Sequence, residues 1–295
     1  MKTVLKNEIL QLTVDTHGAE MQSLTKDGVE YLWSGDPKFW GRRAPVLFPI
    51  VGALQGGQYT FGGKTYHMGQ HGFARDMEFE LTEQTDTSLT YRLTENEKTL
   101  SMYPFRFLLE VGYELRENEV TVSWKVENPA ESDLYFSIGG HPAFMCPPGG
   151  GEAFRGCGIL LRKNGRNLES LSTSPIDVAA GGLIIEDAPK RYALLGGVLT
   201  PSDELFADDA LVVEGSQADE VSLTGPDGRA YLTVSGDTPL FGLWSPAGKS
   251  APFVCIEPWY GRADGVSFHG TLEEKKYERK LKKGESFRGG YTIRL

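Results

Sequence analysis

The 295-residue chain reads as all-β, a large β-sandwich with few short helices, and three observations predict it. Apolar and polar side chains alternate in short runs from end to end, the mark of strands with one buried face. No long amphipathic helical stripe appears. The 36 glycines and 16 prolines fall at short intervals, as tight turns between many strands require.

Taken in order, Leu10, Leu12 and Val14 form the first alternating run. Tyr59 to Phe61 and Thr65 to His67 flank Gly62-Gly63-Lys64, a hairpin in which glycine supplies the positive φ of a tight turn. Leu89, Tyr91 and Leu93 make a further strand, and Glu97 to Met102 suffices for one helical turn. Val111, Tyr113 and Leu115, then Val120, Val122, Trp124 and Val126, read as a hairpin turning through the polar residues 116–119. Residues 142–183, rich in Gly and Pro, read as irregular, either loops over a site or a mobile connection. Strands follow at 211–214, 221–224, 231–234, 253–256 and 291–295. Residues 272–283 are charged enough for a surface helix. No linker forces a division and no repeat is evident, so residues 1–295 are read as one domain.

Composition excludes several classes of function. A net charge of -10 lacks the basic footprint that nucleic acid or an anionic membrane demands, so a neutral small molecule is the expected partner. Charges run throughout the N-terminal segment, and no apolar stretch approaches the roughly 20 residues of a membrane span. Cys146, Cys157 and Cys255 are odd in number and form no CxxC, so free thiols in a reducing, cytoplasmic setting are expected. Phosphate-loop, serine-elbow and HExxH patterns are missing. His67 and His71 are four apart, but Gly69 and Gly72 disfavour a helix to hold a metal, and no metal or cofactor is assigned.

Three segments set a polar residue in an apolar or aromatic context: Gln70 to Arg75 (QHGFAR), Ile138 to Phe144 (IGGHPAF) and Phe253 to Arg262 (FVCIEPWYGR). Glu257 ends an apolar strand, where desolvation raises a carboxyl toward the range of a general base; the plain alternative is an exposed carboxylate paired with Arg262. Trp259 and Tyr260 beside it suit the C–H faces and hydroxyls of a sugar. His141, between glycines and a proline, and His71 are candidate proton donors near neutral pH, with structural roles as the alternative. Arg42 or Arg43 can project into a cleft, with Arg42 preferred. Asp208 or Asp209 can bind sugar hydroxyls or merely occupy a turn, with Asp209 preferred.

Together HGFAR, GGHPAF and CIEPWYGRAD, in that order, resemble the aldose 1-epimerase (galactose mutarotase-like) family, most closely its bacterial subgroup related to lactose-operon-associated epimerase homologues. The resemblance spans nearly the whole chain, from Asn7 and Trp33 through Asp36 to Trp40 and Ala44 to Gly52. It implies a β-supersandwich and an enzyme that interconverts the α and β anomers of an aldose. By motif position, Glu257 resembles the base at the C1 hydroxyl and His141 the acid at the ring oxygen. His71 resembles the second family histidine, on the ring-oxygen side, and Arg42 and Asp209 resemble residues that hold hydroxyls. Arg75 follows HGFA at a position that resembles a phosphate clamp in hexose-6-phosphate mutarotases. A free aldohexose is the expected substrate; a sugar phosphate and a non-catalytic sugar-binding module are the alternatives.

Overall fold

The computed structural model describes residues 1–295. Its largest sheet is ten-stranded and antiparallel. Along its path run Arg166–Asn167, Gly158–Lys163, Glu220–Thr224, Ala230–Ser235, Ser286–Arg294, Glu119–Glu127, Leu108–Arg116, Ser88–Thr94 and Glu80–Gln84, with Val198–Leu199 also on Gly158–Lys163. A six-stranded sheet runs Leu211–Glu214, Leu240–Trp244, Phe253–Tyr260, Ile138–Gly140 and Val46–Leu47, with Ala143–Met145 also on Phe253–Tyr260. A four-stranded N-terminal meander covers residues 2–30.

The expected all-β architecture is therefore present, and its hairpins follow from period-two patterning. Val111, Tyr113 and Leu115 pair with Trp124, Val122 and Val120, and all six are buried in the main core. The turn closes through Glu117 at φ 52°. Gln58–Phe61 pairs with Lys64–His67 around two positive-φ glycines. The turn of helix at Glu97–Met102 is closed by a capping box in which Asn96 accepts from the Thr99 N–H and Thr99 Oγ1 from the Asn96 N–H. Such a cap satisfies end donors that the helix itself leaves free.

Two readings of the sequence are overturned. Residues 272–283 form no helix: a 3₁₀ turn at Leu272–Glu274 gives way to the strand Arg279–Leu281, paired with Leu134–Phe136. Lys275 is drawn inward to Asp264, 3.0 Å away, and to the Arg262 carbonyl, while Tyr277 takes φ 64°. A buried ion pair and strand pairing outweigh the weak helical preference of an exposed charged run. Residues 142–183 are not uniformly irregular either, since Gly158–Lys163 is an interior strand of the large sheet. Its short apolar run was masked by flanking glycines.

The strand Phe253–Tyr260 is buried along its whole length, and alternation divides it. Val254, Ile256 and Tyr260 enter the main core. Phe253, Cys255, Glu257 and Trp259 share the opposite face, where Phe253 and Cys255 join one small apolar cluster and Trp259 another. The neighbours agree: Val212, Gly242 and Glu257 lie in one row across three strands, as do Leu211, Leu243 and Ile256 on the core side.

Candidate active site

A cavity of about 210 Å³ opens over this second face, lined among others by Glu257, His141, His71, Arg75, Asp209 and Trp259. The sheet beneath it is flattened by glycine. A Cβ on Gly139 would stand 2.6 Å from Trp259 Cδ1, and one on Gly242 2.6 Å from Trp259 Cη2. The indole therefore lies across the strands from Gly139 to Gly242, and only hydrogen side chains leave it that room.

Glu257 is 1% exposed, and neither carboxylate oxygen has a hydrogen-bond partner. His141 leaves the strand Ile138–Gly140, its N–H donating to the Pro45 carbonyl at 3.1 Å. Its Nε2 stands 3.2 Å from Glu257 Oε2, too poorly aligned for a hydrogen bond, and its Nδ1 is unpartnered. Trp40 stacks on the imidazole at 4.7 Å between centroids, and Trp244 meets it edge-on at 5.6 Å. Burial pushes the Glu257 carboxyl well above the usual carboxylate range, and the charge of Asp209 adds to the push. Burial pushes His141 down to about 3, and the Arg75 and Arg42 charges act in the same direction. Each group is thus favoured in its uncharged form.

His71 sits at φ 67°, the left-handed region that costs a bulky residue strain. Two bonds hold it there: its N–H donates to the Gly52 carbonyl at 2.9 Å, and its Nδ1 accepts from the Gly52 N–H at 3.1 Å. Because Nδ1 is an acceptor, the ring proton is on Nε2. Burial, then the charges of His141 and the two arginines, hold its pKa well below the ordinary histidine value. His71 is thus a neutral, oriented donor. Gly52 and Gly72 allow the close packing: a Cβ on Gly72 would come 2.3 Å from the Phe48 carbonyl oxygen, and one on Gly52 2.4 Å from the Ala263 nitrogen.

Of the remaining candidates, Arg75 and Asp209 reach the cavity wall. Arg75 donates from Nη2 to the Gln70 carbonyl at 2.7 Å, and its Nε is unpartnered. Asp209, at φ 74°, accepts from the Ala210 N–H at 2.8 Å, and burial raises its carboxyl. Asp208 points away to Lys190. Arg42 is not a wall residue; its guanidinium is 2.8 Å from Asp76. Arg43 is turned toward Gln22. Arg262 does not pair with Glu257: its guanidinium is 2.5 Å from Glu186 and 3.5 Å from Glu214. Tyr260, read from sequence as an aromatic beside the site, faces the core instead and bonds the Asp237 carbonyl at 3.0 Å; an odd offset from Glu257 puts it on the other face.

Trp40, Trp244, Gln70, Ile176, Ile184 and Val212 also line the cavity and were not recognised as site residues from the sequence. Alternation could have found Trp244, on the strand next to Glu257, and Val212, one strand further out. Nothing local marks Ile176 and Ile184, which belong to a strap laid over the cavity. The strap is held by the Ile184 N–H to the Asp264 carbonyl at 2.8 Å and by the ion pair of Glu186 with Arg262. One nitrogen, one sulfur and one oxygen donor, from His141, Cys255 and Glu257, lie within 4.8 Å of one another, and these three are the residues that could hold a metal. No helix is long and apolar enough to cross a membrane.

The family model for aldose 1-epimerase matches residues 1–294. LacX, in its chromosomal form from Lactococcus lactis subsp. lactis, is 31% identical over 305 residues, covering 100% of this chain and 99% of that protein. Among solved structures, a galactose mutarotase related enzyme from Lactobacillus acidophilus superposes with a TM-score of 0.92 at 35% identity, over 100% of this chain and 97% of that one. A galactose mutarotase-like protein from Lactobacillus casei gives 0.88 at 28% identity, covering both chains fully.

Proposed function

The chain belongs to the aldose 1-epimerase family and is an isomerase of the mutarotase kind, and from that premise we propose that it interconverts the α and β anomers of a free aldohexose such as galactose or glucose. Glu257 takes the proton from the C1 hydroxyl as His141 protonates the ring oxygen, and the C1–O5 bond breaks to give an aldehyde. Rotation about C1–C2 presents the other carbonyl face, and the two groups work in reverse to close the ring.

The observation that carries this reading is the Glu257–His141 pair, 3.2 Å apart, buried, and without other partners for the carboxylate. Hemiacetal opening needs one base and one acid that exchange a single proton. Moving the carboxyl proton from Glu257 to His141 creates both at once with no net change in the charge of the pair. His71 Nε2–H then donates to the ring-oxygen side. Asp209, Arg75 and Gln70 take hydroxyls, and Trp40 and Trp259 supply apolar faces. Arg42 contributes its charge from the rim. A cytoplasmic setting is supported by three unpaired, buried thiols.

A hexose 6-phosphate is the second reading, and one observation favours it: the Arg75 guanidinium stands on the cavity wall, with Arg42 behind it at the shared carboxylate of Asp76, at 3.8 and 2.8 Å. The test is polarimetric mutarotation of α-D-galactose, α-D-glucose and α-D-glucose 6-phosphate with the intact protein, Glu257→Gln and His141→Asn. Acceleration on the free sugars, cut by about 10²- to 10⁴-fold in each variant, is expected. Acceleration confined to the phosphate would select the second reading, and full activity in either variant would refute the assigned roles.

A further inference from the structure

We propose that His141, Cys255 and Glu257 form a binding site for a soft divalent cation such as Zn²⁺, and that the bound ion closes the sugar site by taking both groups of the acid–base pair. Alternation sets Cys255 and Glu257 on the same face of one strand, and the neighbouring strand brings His141 over them. The donor atoms, one from each, lie within 4.8 Å of one another.

The edge between His141 Nε2 and Glu257 Oε2 is 3.2 Å. Two such donors about 2.0–2.1 Å from a tetrahedral zinc ion stand roughly 3.3 Å apart, so this edge already has the spacing. A thiolate about 2.3 Å from the ion would lie roughly 3.5 Å from each, a closure of about 1 Å or a little more from the widest separation present. A mixed nitrogen, sulfur and oxygen set suits Zn²⁺ and rejects Mg²⁺, which prefers oxygen alone.

Charge and burial favour the same ion. His141 and Glu257 are 8% and 1% exposed, and both oxygens of Glu257 lack a hydrogen-bond partner. On binding, the S–H bond of Cys255 breaks and a bond from sulfur to the metal forms. That proton and the carboxyl proton of Glu257 leave to solvent, and no electron is transferred. A 2+ ion with one thiolate, one carboxylate and a neutral imidazole sums to zero, the charge state a buried site tolerates best. His141 and Glu257 line the cavity while Cys255 lies behind it, so the ion would sit at the cavity wall. Cys255 has no part in the acid–base chemistry, so its loss separates metal binding from turnover.

Cd²⁺ is the optical probe, since its bond to a thiolate gives an ultraviolet charge-transfer band. The intact protein is expected to show this band at one equivalent of Cd²⁺, to lose it to Zn²⁺ and to keep it in excess Mg²⁺. Cys255→Ala and Cys255→Ser are expected to lack it, although Cys146 and Cys157 remain. Zn²⁺ is expected to inhibit mutarotation competitively with sugar and reversibly with chelator. Its half-inhibiting concentration should rise at least about 10-fold in both variants, each scaled to its own uninhibited rate. No band in the intact protein, or a band and inhibition unchanged in both variants, would overturn the site. The band needs no turnover, so it tests the cation site even if the sugar chemistry is other than proposed.

Discussion

Replacing Glu278 by glutamine should change how stability depends on pH. The stem of Glu278 is partly exposed, but both carboxylate oxygens are closed to solvent. Burial pushes the carboxyl from 4.5 up to about 8, against the opposing pull of Lys275 and the Ser137 hydroxyl and with the repulsion of Asp264. Between these two values the folded protein keeps a proton that the unfolded chain releases. The stability from this group is therefore fully present below about 4.5, is lost as pH rises, and levels off above about 8. At about 1.36 kcal/mol per pH unit over the interval from 4.5 to 8, the total loss is roughly 3–5 kcal/mol. The amide of the Glu278→Gln variant has no such proton to lose. Urea unfolding of both proteins at pH 5, 6, 7, 8 and 9 measures the difference; the variant should gain on the wild type by about 1 kcal/mol per unit up to pH 8 and by nothing more above it. Unfolding curves whose midpoints stay a fixed distance apart across the series would refute the buried neutral carboxyl.

Three further outcomes are expected. Because burial lowers His141 to about 3, kcat/KM should not fall as pH drops from about 6 to 5 in a polarimetric series; a fall with an inflection near the ordinary histidine value would contradict the neutral imidazole. Gly52→Ala places a Cβ 2.4 Å from the Ala263 nitrogen at φ +77°, so a loss of more than about 2 kcal/mol and a Tm lower by at least about 3 °C are expected in a thermal melt. Glu186→Gln weakens the hold of Arg262 on the strap that carries Ile184; steady-state kinetics should show KM raised about threefold with kcat kept, and a fall in kcat alone would deny the strap a role confined to binding.

The sequence by itself determined what depends on near neighbours and periodicity. Alternation marked the strands, the glycine pair placed the hairpin at residues 59–67, and the three motifs singled out Glu257, His141, His71 and Arg75. It could not decide what depends on the environment of a side chain. The charges in residues 272–283 suggest a helix until Lys275 is seen bonded to Asp264, and Arg262 is a plausible partner for Glu257 until Glu186 is seen to occupy it. Tyr260 and Trp259 look equivalent beside Glu257, yet they point to opposite faces of the strand. Which aspartate of residues 208–209 reaches the cavity, that Arg42 stays on the rim, and that Ile176 and Ile184 cover the site follow from contacts between segments far apart in the chain. Burial is likewise a property of the assembled sheets. It removes water from the carboxyl and the imidazole together, and that desolvation favours the uncharged form of both Glu257 and His141.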